Sequence, residues 1–201
     1  MPDNKLLLAT TNKGKAKEYR ALLGGIPCEI TSMAEQGFNL DIEETTISFE
    51  ENARLKASTL ADISGLLSLA DDSGLEVDAL GGEPGVLSAR YAGEGASDED
   101  RYLFLLEKLR DVPVDMRTAR FRCVIAIAAP DGKFELFPGE CPGVITTSPR
   151  GDNGFGYDPV FYLPDLGRTM AELSPEEKNM ISHRARAAEK AREWLLKQAS
   201  T

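Results

Sequence analysis

The sequence predicts an α/β protein with a mixed, twisted sheet and flanking helices. In the first half of the chain, segments with the pattern of buried strands alternate with amphipathic helical segments. After residue 118, strand-like segments follow one another directly. Two capping-box signals mark helix starts, one before each of the longest helical patterns. Helices interspersed with strands, followed by consecutive strands, are typical of a mixed sheet.

The N-terminal part reads as strand, helix, strand and helix. The segment Lys5–Ala9, apolar after its lysine, predicts a buried strand, and Gly14–Leu23 predicts a helix that stops at a pair of glycines. Cys28–Thr31 is predicted as a short strand. Ser48, with glutamate three positions later, caps a helix that we expect to run to about Ser64.

The middle of the chain is rich in turn residues. Leu66–Ala70 predicts another buried strand. From Asp71 to Gly95 glycine is frequent, and a turn is the structure that the sequence alone favours for DDSG at residues 71–74. Residues 97–111 predict a helix with Ser97 as its cap.

The last third predicts a meander and a terminal helix. Thr118–Ala129 alternates apolar and basic residues and ends in a Pro-Asp-Gly turn. Phe134–Phe137 and Val144–Thr147 are predicted as two further strands. Ser174 begins a second capping box with proline at the first helical position, and the helix continues towards Gln198.

Composition excludes several classes of protein. The 201 residues are enough for one large domain or for two lobes with a real core, and no linker or repeat interrupts them, so residues 1–201 are taken as a single domain. A formal net charge of −10 argues against nucleic-acid binding. No apolar run approaches a membrane span, and no secretory signal is recognised. Three distant cysteines fit a reducing cytoplasm better than disulfides or zinc.

The stretch LLLATTNKGKAKEY, residues 6–19, has the form of an anion-binding turn between a strand and a helix. Two positions that define a P-loop do not match in this stretch, which disfavours that class of NTPase. Its short polar residues and lysines still suit a phosphate at a helix N-terminus. The residues concerned are Thr10, Thr11, Asn12, Lys13, Gly14 and Lys15. An ordinary turn with surface lysines is the alternative.

Acidic residues predict a magnesium site. Asp71 and Asp72 follow a buried strand, and in extended backbone they point to opposite sides, which predicts different roles for them. Glu43 and Glu44 lie in an earlier acidic segment. Carboxylates that meet a phosphate form the hard-oxygen environment that Mg²⁺ prefers.

The segment RGDNGFGYDP, residues 150–159, contains two aromatic residues among glycines. It lacks the strand-to-helix context of a dinucleotide-binding fingerprint. The glycines beside Phe155 and Tyr157 suggest exposed rings that could stack on a nucleobase. The alternative is that both rings anchor a hairpin in the core.

Basic residues cluster near the start of the last helical pattern. Lys178 and His183 would differ by ~140° around a continuous ideal helix, so they would not share a face. Either the helix breaks near Ser182, which would then act as a new N-cap, or the two groups reach different parts of one ligand. Arg184 follows directly. A solvated helix with scattered basic residues is the alternative.

Five motifs occur in an order that resembles a known family, and they span about residues 5–190: LATTNKGKAKE, SFEENARLKA, LADDSGLEVDALGGEPGVLSARYAG, NGFGYDPVF and AELSPEEKNMISHRARA. The chain is similar to the inosine triphosphatase-like (Ham1-like) non-canonical purine NTP pyrophosphatases, whose bacterial members are dITP/XTP pyrophosphatases. The resemblance implies two lobes around a central active-site cleft, a homodimer, Mg²⁺ dependence and hydrolysis of (d)ITP and (d)XTP to the monophosphate and pyrophosphate. Such an activity would clear deaminated purines from the nucleotide pool.

The resemblance also implies roles for individual residues. It assigns the metal to Glu44 and Asp72, with Glu43 as the alternative to Glu44, and it makes Asp72 the general base. The implied substrate contacts comprise the phosphate turn and several later residues: Thr10, Thr11, Asn12, Lys15, Ser73, Phe155, Gly156, Tyr157, Asp158, Lys178, His183 and Arg184. A pyrophosphatase with another base preference (Maf-like or dUTPase-like) and a non-catalytic nucleotide sensor are the alternatives.

Overall fold

The computed structural model describes residues 4–11, 13–40, 42 and 48–199, and for Lys13 it describes the backbone only. The strands are β1 Lys5–Leu8, β2 Glu29–Ser32, β3 Leu67–Val77, β4 Thr118–Ala128, β5 Phe134–Ile145, β6 Phe161–Leu163 and β7 Arg168–Thr169. The helices are α1 Lys13–Leu22, α2 Phe49–Ser64, α3 Asp98–Lys108, α4 Pro175–Ile181 and α5 His183–Ala199. Of these helices, which cover only the described residues, none is long and apolar enough to cross a membrane.

The strands of the described residues form one sheet in the order β2-β1-β3-β4-β5-β6-β7. β1 pairs in parallel with both β2 and β3, and Leu8 lies opposite Ser32 and Leu69. β5, β6 and β7 pair antiparallel. The sheet is therefore mixed, which confirms the predicted fold class.

The chain forms two compact units. Unit 1 consists of the residues up to Asp72, Cys123–Gly139 and those from Arg184 onward. Its core has helices on both faces of β1: Leu6 and Leu8 pack with residues of α1 and α5, and Leu7 packs with Leu60 of α2. A short strand buried on both faces is typical of parallel sheets, and this explains the continuous apolar run at residues 6–8.

Unit 2 consists of Ser73–Arg122 and Glu140–His183. One face of its strands packs against α3 and a series of short turns, in a cluster that includes Leu75, Phe121, Phe161 and Leu105. The outward residues of β3 and β4 form ion pairs instead, with Glu76 joined to Arg120 at 2.7 Å and to Arg122 at 3.0 Å. The predicted alternation of apolar and basic residues in β4 is thus confirmed in this unit.

Two sequence predictions about the strands are wrong. The DDSG segment is not a turn, because β3 continues through it to Val77. Phe134–Phe137 and Val144–Thr147 are not separate strands, since a single strand β5 joins them. Pro138 and Pro142 lie within β5. Among the described pairings β6 meets β5 only at Val144 and Ile145, so on the side that faces β6 both prolines lie where the strand is an edge.

The helix start signals are confirmed. Ser48, Ser97 and Ser174 are N-caps whose hydroxyl oxygens accept from the backbone N–H three residues on. The chain also breaks at Ser182, whose backbone is extended (φ −64°, ψ 157°), and α5 begins at His183. Of the two possibilities for Lys178 and His183, the helix break is the one observed.

Candidate functional site

The parallel strands place the acidic pair next to the lysine-containing turn. Leu8 of β1 lies opposite Leu69 of β3 in a parallel pair. The residues that follow Leu8 and those that follow Leu69 therefore lie side by side at the same edge. The Ala9 N–H donates to the Leu69 carbonyl at 2.7 Å and continues this register. The turn before α1 and the residues Asp71 and Asp72 therefore meet in unit 1.

Asp71 lies at the centre of this group. Its carboxylate accepts from the Lys15 ammonium at 3.2 Å and 3.0 Å, and the Arg184 Nε lies 3.6 Å from Oδ2. Only 3% of the Asp71 side chain is exposed. Burial raises the pKa of the Asp71 carboxyl, but the charges of Lys15, Arg184 and Lys56 outweigh it and hold that pKa well below its usual value. Asp71 is therefore a fixed negative charge.

Arg184 reaches this group from the first turn of α5. Its Nη1 donates to Glu18 Oε2 of α1 at 2.9 Å, and its side chain is 2% exposed. Burial lowers the pKa of the guanidinium, but Glu18 and Asp71 more than compensate and raise it. Glu18 was missed by sequence reasoning because it reads as an ordinary surface glutamate.

Asp72 has a different set of partners, as the alternation along an extended strand predicts. Asn52 Nδ2 donates to Oδ2 at 3.1 Å, and Lys56 Nζ donates to Oδ1 at 3.2 Å. Sequence reasoning did not single out Asn52 or Lys56. A signal was present, because two polar residues spaced i, i+4 share one face of α2, and Asn52 lies on a largely apolar helix surface and is buried.

We call Lys15, Glu18, Asn52, Lys56, Asp71, Asp72 and Arg184 the charged cluster. It adjoins the N-terminus of α1, whose first turn contains no acidic side chain. The first backbone N–H groups of a helix have no partner within the helix and can bind an anion. Thr10 is half-buried there, and Thr11 and Gly14 are exposed. Asn12 and the side chain of Lys13 lie outside the described residues.

The described residues of the cluster suit a magnesium ion that also binds phosphate. Mg²⁺ is usually held by one or two carboxylates together with substrate phosphates and water. Asp72 supplies such a carboxylate, whereas Glu43 and Glu44 lie outside the described residues. Among the residues described, no group of three or more His, Cys, Asp and Glu side chains could hold a metal ion. Asp72 could thus hold a metal ion whose other ligands come from phosphate and water.

We call residues 154–158 the aromatic loop. Its two aromatic side chains have different environments. Phe155 is 37% exposed, whereas Tyr157 is 4% exposed and belongs to the core of unit 2. The Tyr157 hydroxyl donates to the Ser88 carbonyl at 2.9 Å, and burial raises its pKa. Phe155 matches the exposed-ring alternative and Tyr157 matches the core-anchor alternative.

Asp158 and Lys178 form the polar centre of this loop. Lys178 Nζ donates to Asp158 Oδ2 at 2.6 Å, and the same oxygen accepts from the Phe155 N–H at 3.0 Å. Lys178 Nζ also lies 4.6 Å from the centroid of the Phe155 ring. Gly154 is required next to this pair, because a Cβ there would lie 2.1 Å from Asp158 Oδ2. The loop thus joins an aromatic face to a buried ammonium.

The other predicted site residues of unit 2 lie on separate elements. His183 is buried, and its ring stacks on Phe121 with centroids 4.8 Å apart and planes 19° apart. Ser73 is half-buried and follows Asp72 in β3. The predicted residues therefore fall into two groups. In unit 1, Lys15 and Arg184 meet at Asp71, and Asp72 lies next to Asp71 in β3. In unit 2, Phe155, Asp158 and Lys178 meet.

Comparison with known proteins gives consistent matches over most of the chain. The model of the Ham1 family matches residues 6–194. A dITP/XTP pyrophosphatase of Geobacter sulfurreducens is 54% identical over 183 residues, which is 91% of this chain and 92% of that protein. A dITP/XTP pyrophosphatase of Desulforamulus reducens is 52% identical and covers 95% of each chain.

Solved structures agree with the fold. The Ham1 protein of Staphylococcus aureus superposes with a TM-score of 0.88 at 42% identity, over 96% of this chain and 99% of that one. A HAM1 protein from Coxiella burnetii gives a TM-score of 0.89 at 43% identity, over 96% and 98% of the two chains.

Proposed function

Because the chain belongs to the Ham1 family, we propose that it hydrolyses the non-canonical purine nucleoside triphosphates ITP, dITP, XTP and dXTP to the monophosphate and pyrophosphate. The curated relatives named dITP/XTP pyrophosphatase support this proposal, since they are about half identical over more than nine-tenths of the chain. The observation that carries it is the charged cluster, in which Lys15 in the first turn of α1 pairs with Asp71, and Asp72 follows Asp71 directly in β3.

The cluster is suited to the triphosphate. Lys15 and Arg184 both pair with Asp71. The side chain of Lys15 is 20% exposed and can also face a ligand, whereas the side chain of Arg184 is 2% exposed. The amide groups at the start of α1 add fixed positive partial charge. Thr10, Thr11, Asn12, Lys13 and Gly14 are proposed as further contacts of the phosphates.

Asp72 and Glu44 are proposed to hold Mg²⁺. When bound, the ion would neutralise charge on the phosphate oxygens and so favour departure of pyrophosphate. Asn52 and Lys56 donate to the two oxygens of the Asp72 carboxylate and so orient it.

The reaction is an attack of water on the α-phosphorus. An oxygen–phosphorus bond forms, the bond from the α-phosphorus to the oxygen bridging to the β-phosphorus breaks, and pyrophosphate leaves. Asp72 is proposed to take the proton of the attacking water. Lys15 stabilises the negative charge that grows on the departing phosphates.

The aromatic loop is suited to the base. Phe155 offers an exposed ring on which a purine can stack. Hypoxanthine and xanthine carry a keto oxygen at position 6 where adenine carries an amino group, so hydrogen-bond donors aimed at this position would be left unpaired by adenine. Gly156, Tyr157, Asp158, Lys178 and the imidazole of His183 are the proposed contacts on this side. Arg184, already bound to Glu18, and Ser73 are proposed as contacts of the remaining substrate.

The remaining properties are those that family membership suggests. We propose a homodimer, a cytoplasmic location and a single functional domain over residues 1–201. A partner nucleic acid or membrane is not expected, since the net charge of −10 opposes binding to anionic polymers and surfaces.

The proposal is tested with a substrate panel in the presence of Mg²⁺. ITP, dITP and XTP are expected to release pyrophosphate, and ATP, GTP, dUTP and dTTP are expected to be poor substrates. Separating pyrophosphate from orthophosphate identifies the bond that breaks. A preference for dUTP or dTTP would point to another base class, and binding of ITP without turnover would point to a nucleotide sensor.

A further inference from the structure

The aromatic loop is attached to helix α3 by one short hydrogen bond. The backbone N–H of Gly156 donates to Asp98 Oδ2 at 2.7 Å, between positions 58 residues apart in sequence. Asp98 is the first residue of α3, directly after the N-cap Ser97. An ionised acceptor makes this bond stronger than a bond between neutral groups.

The Asp98 carboxylate is itself held in orientation by Arg101. Arg101 Nη1 donates to Asp98 Oδ1, and Nη2 donates to the Ala96 carbonyl at 2.6 Å. The Arg101 side chain is 21% exposed, so its guanidinium is largely screened from water. One carboxylate oxygen thus faces arginine and the other faces the loop.

Gly156, the residue attached to Asp98, directly follows Phe155. Its backbone is left-handed, with φ at +64°, and it links Phe155 to Tyr157. Tyr157 is fixed by its hydrogen bond to Ser88, and the Phe155 N–H is fixed by Asp158. The peptide between Phe155 and Gly156 carries the N–H that Asp98 accepts, so this bond determines the orientation of that peptide.

We propose that Asp98, supported by Arg101, is a positioning residue that fixes how the aromatic loop presents Phe155, next to Lys178 of α4, to a purine base. It acts through the Gly156 amide and does not touch the substrate. The inference deepens the proposed function and rests on it for the identity of the ligand. It concerns the affinity for the base and leaves the chemistry at the phosphates unchanged.

A matched pair of variants separates positioning from helix stability. Asp98→Ala removes the acceptor of the Gly156 N–H. Asp100→Ala removes the partner of Ser97 in the capping box of the same helix, where Asp100 accepts from the Ser97 N–H at 2.8 Å, and it leaves the loop bond in place. Asp98→Asn keeps an acceptor oxygen and serves as the second variant if Asp98→Ala folds poorly.

The first measurement is hydrogen–deuterium exchange of the unliganded protein. Asp98→Ala is expected to accelerate exchange at the Gly156 amide about tenfold or more, because a charge-assisted hydrogen bond is lost. Asp100→Ala is expected to accelerate exchange at the start of α3 only. Unchanged exchange at Gly156 in Asp98→Ala would overturn the inference, whether or not the protein hydrolyses ITP.

The second measurement is steady-state kinetics with ITP. Asp98→Ala is expected to raise KM about tenfold with kcat changed less than about twofold. Asp98→Asn is expected to give a smaller rise, and Asp100→Ala no rise. An equal loss of kcat in both alanine variants would show that α3 acts only through stability and would overturn the inference. A wild-type protein inactive on every purine triphosphate would overturn the proposed function instead.

Discussion

The charged cluster and the aromatic loop stabilise their functional groups in different ways. In the cluster, side chains of opposite charge contact one another, as in Lys15 with Asp71 at 3.0 Å and Arg184 with Glu18 at 2.9 Å. In the loop, backbone N–H groups and glycine conformations hold a ring in place, with Asp98 and Asp158 as acceptors. The first arrangement depends on the number and sign of charges, and the second depends on backbone shape.

This difference predicts a division of labour. A triphosphate is the same in every nucleotide, so recognition by charge gives affinity without distinguishing bases. A base differs from its competitors by one or two polar atoms, so discrimination requires groups held within a few tenths of an ångström. Variants of the cluster should therefore affect all nucleotides alike, and variants of the loop should affect the ratio between them.

The largest effect is expected for Asp72→Asn. The change removes the proposed proton acceptor and one proposed metal-holding carboxylate, while the single amide oxygen can still accept from Lys56. We expect kcat for ITP to fall about 10³-fold, within the range that a general base contributes. Steady-state pyrophosphate release at saturating Mg²⁺ measures it.

Asp71→Asn is not a suitable control for this variant, because Asp71 compensates two buried cations. Glu51→Gln on the same helix as Asn52 is suitable, since its side chain is exposed. Full turnover by Asp72→Asn, with a normal melting temperature, would remove Asp72 from the mechanism.

The next prediction compares the loss of two lysines, Lys15 of the charged cluster and Lys178 beside the aromatic loop. Lys15→Met is expected to lower kcat/KM about 10²-fold for every triphosphate, because a fixed charge at the phosphates is lost. Lys178→Met is expected to lower kcat/KM for ITP by about tenfold and to change the ratio of ITP to GTP. The measurement is kcat/KM for ITP, XTP, GTP and ATP with both variants. Equal ratios in the two variants would contradict the division of labour.

Much of the fold could be predicted because it depends on local signals. The caps at Ser97 and Ser174 and the buried run at Leu6–Leu8 are short patterns with direct physical causes. The DDSG segment was mispredicted because turn propensity is a local preference. The segment is a strand because β3 lies between β1 and β4 in the sheet, and the side-chain partners of Asp71 and Asp72 come from α1, α2 and α5. No window of sequence contains these elements together.

The candidate site divides in the same way. Lys15 and Phe155 could be proposed from glycine and lysine patterns in their own segments. The i, i+4 spacing of Asn52 and Lys56 marks a polar face of α2 but does not name its partner, because Lys56 contacts Asp72 in another element. Asp98 offers no local signal, since its partner Gly156 lies 58 positions away. Positions whose role depends on a distant partner need the tertiary structure.

A pair of glycine variants tests the shape of the loop. Gly154→Ala places a Cβ 2.1 Å from Asp158 Oδ2 at a φ of +80°, whereas Gly156→Ala meets nothing within 4 Å at a φ of +64°. We expect Gly154→Ala to lower the free energy of unfolding by about 2 kcal/mol and Gly156→Ala by about 1 kcal/mol, the cost of a left-handed backbone alone. Urea denaturation measures both. Equal losses would mean that Asp158 moves aside without cost.

The smallest expected effect is a change in the free energy of unfolding at acidic pH, and it concerns Asp71 of the charged cluster. The pKa of the Asp71 carboxyl is lower in the folded protein than in the unfolded chain, so below about pH 4 the unfolded chain binds a proton that the native state does not. Its stabilisation is complete above the unfolded pKa and is lost as the pH falls towards the folded pKa, with a slope of at most about 1.4 kcal/mol per pH unit. In Lys15→Met the pKa should move back towards its ordinary value and this slope should decrease, which carboxyl carbon NMR and urea denaturation at several acidic pH values would detect. Titration of Asp71 at its ordinary pKa in the wild-type protein would contradict the ion pairs that distinguish the cluster from the loop.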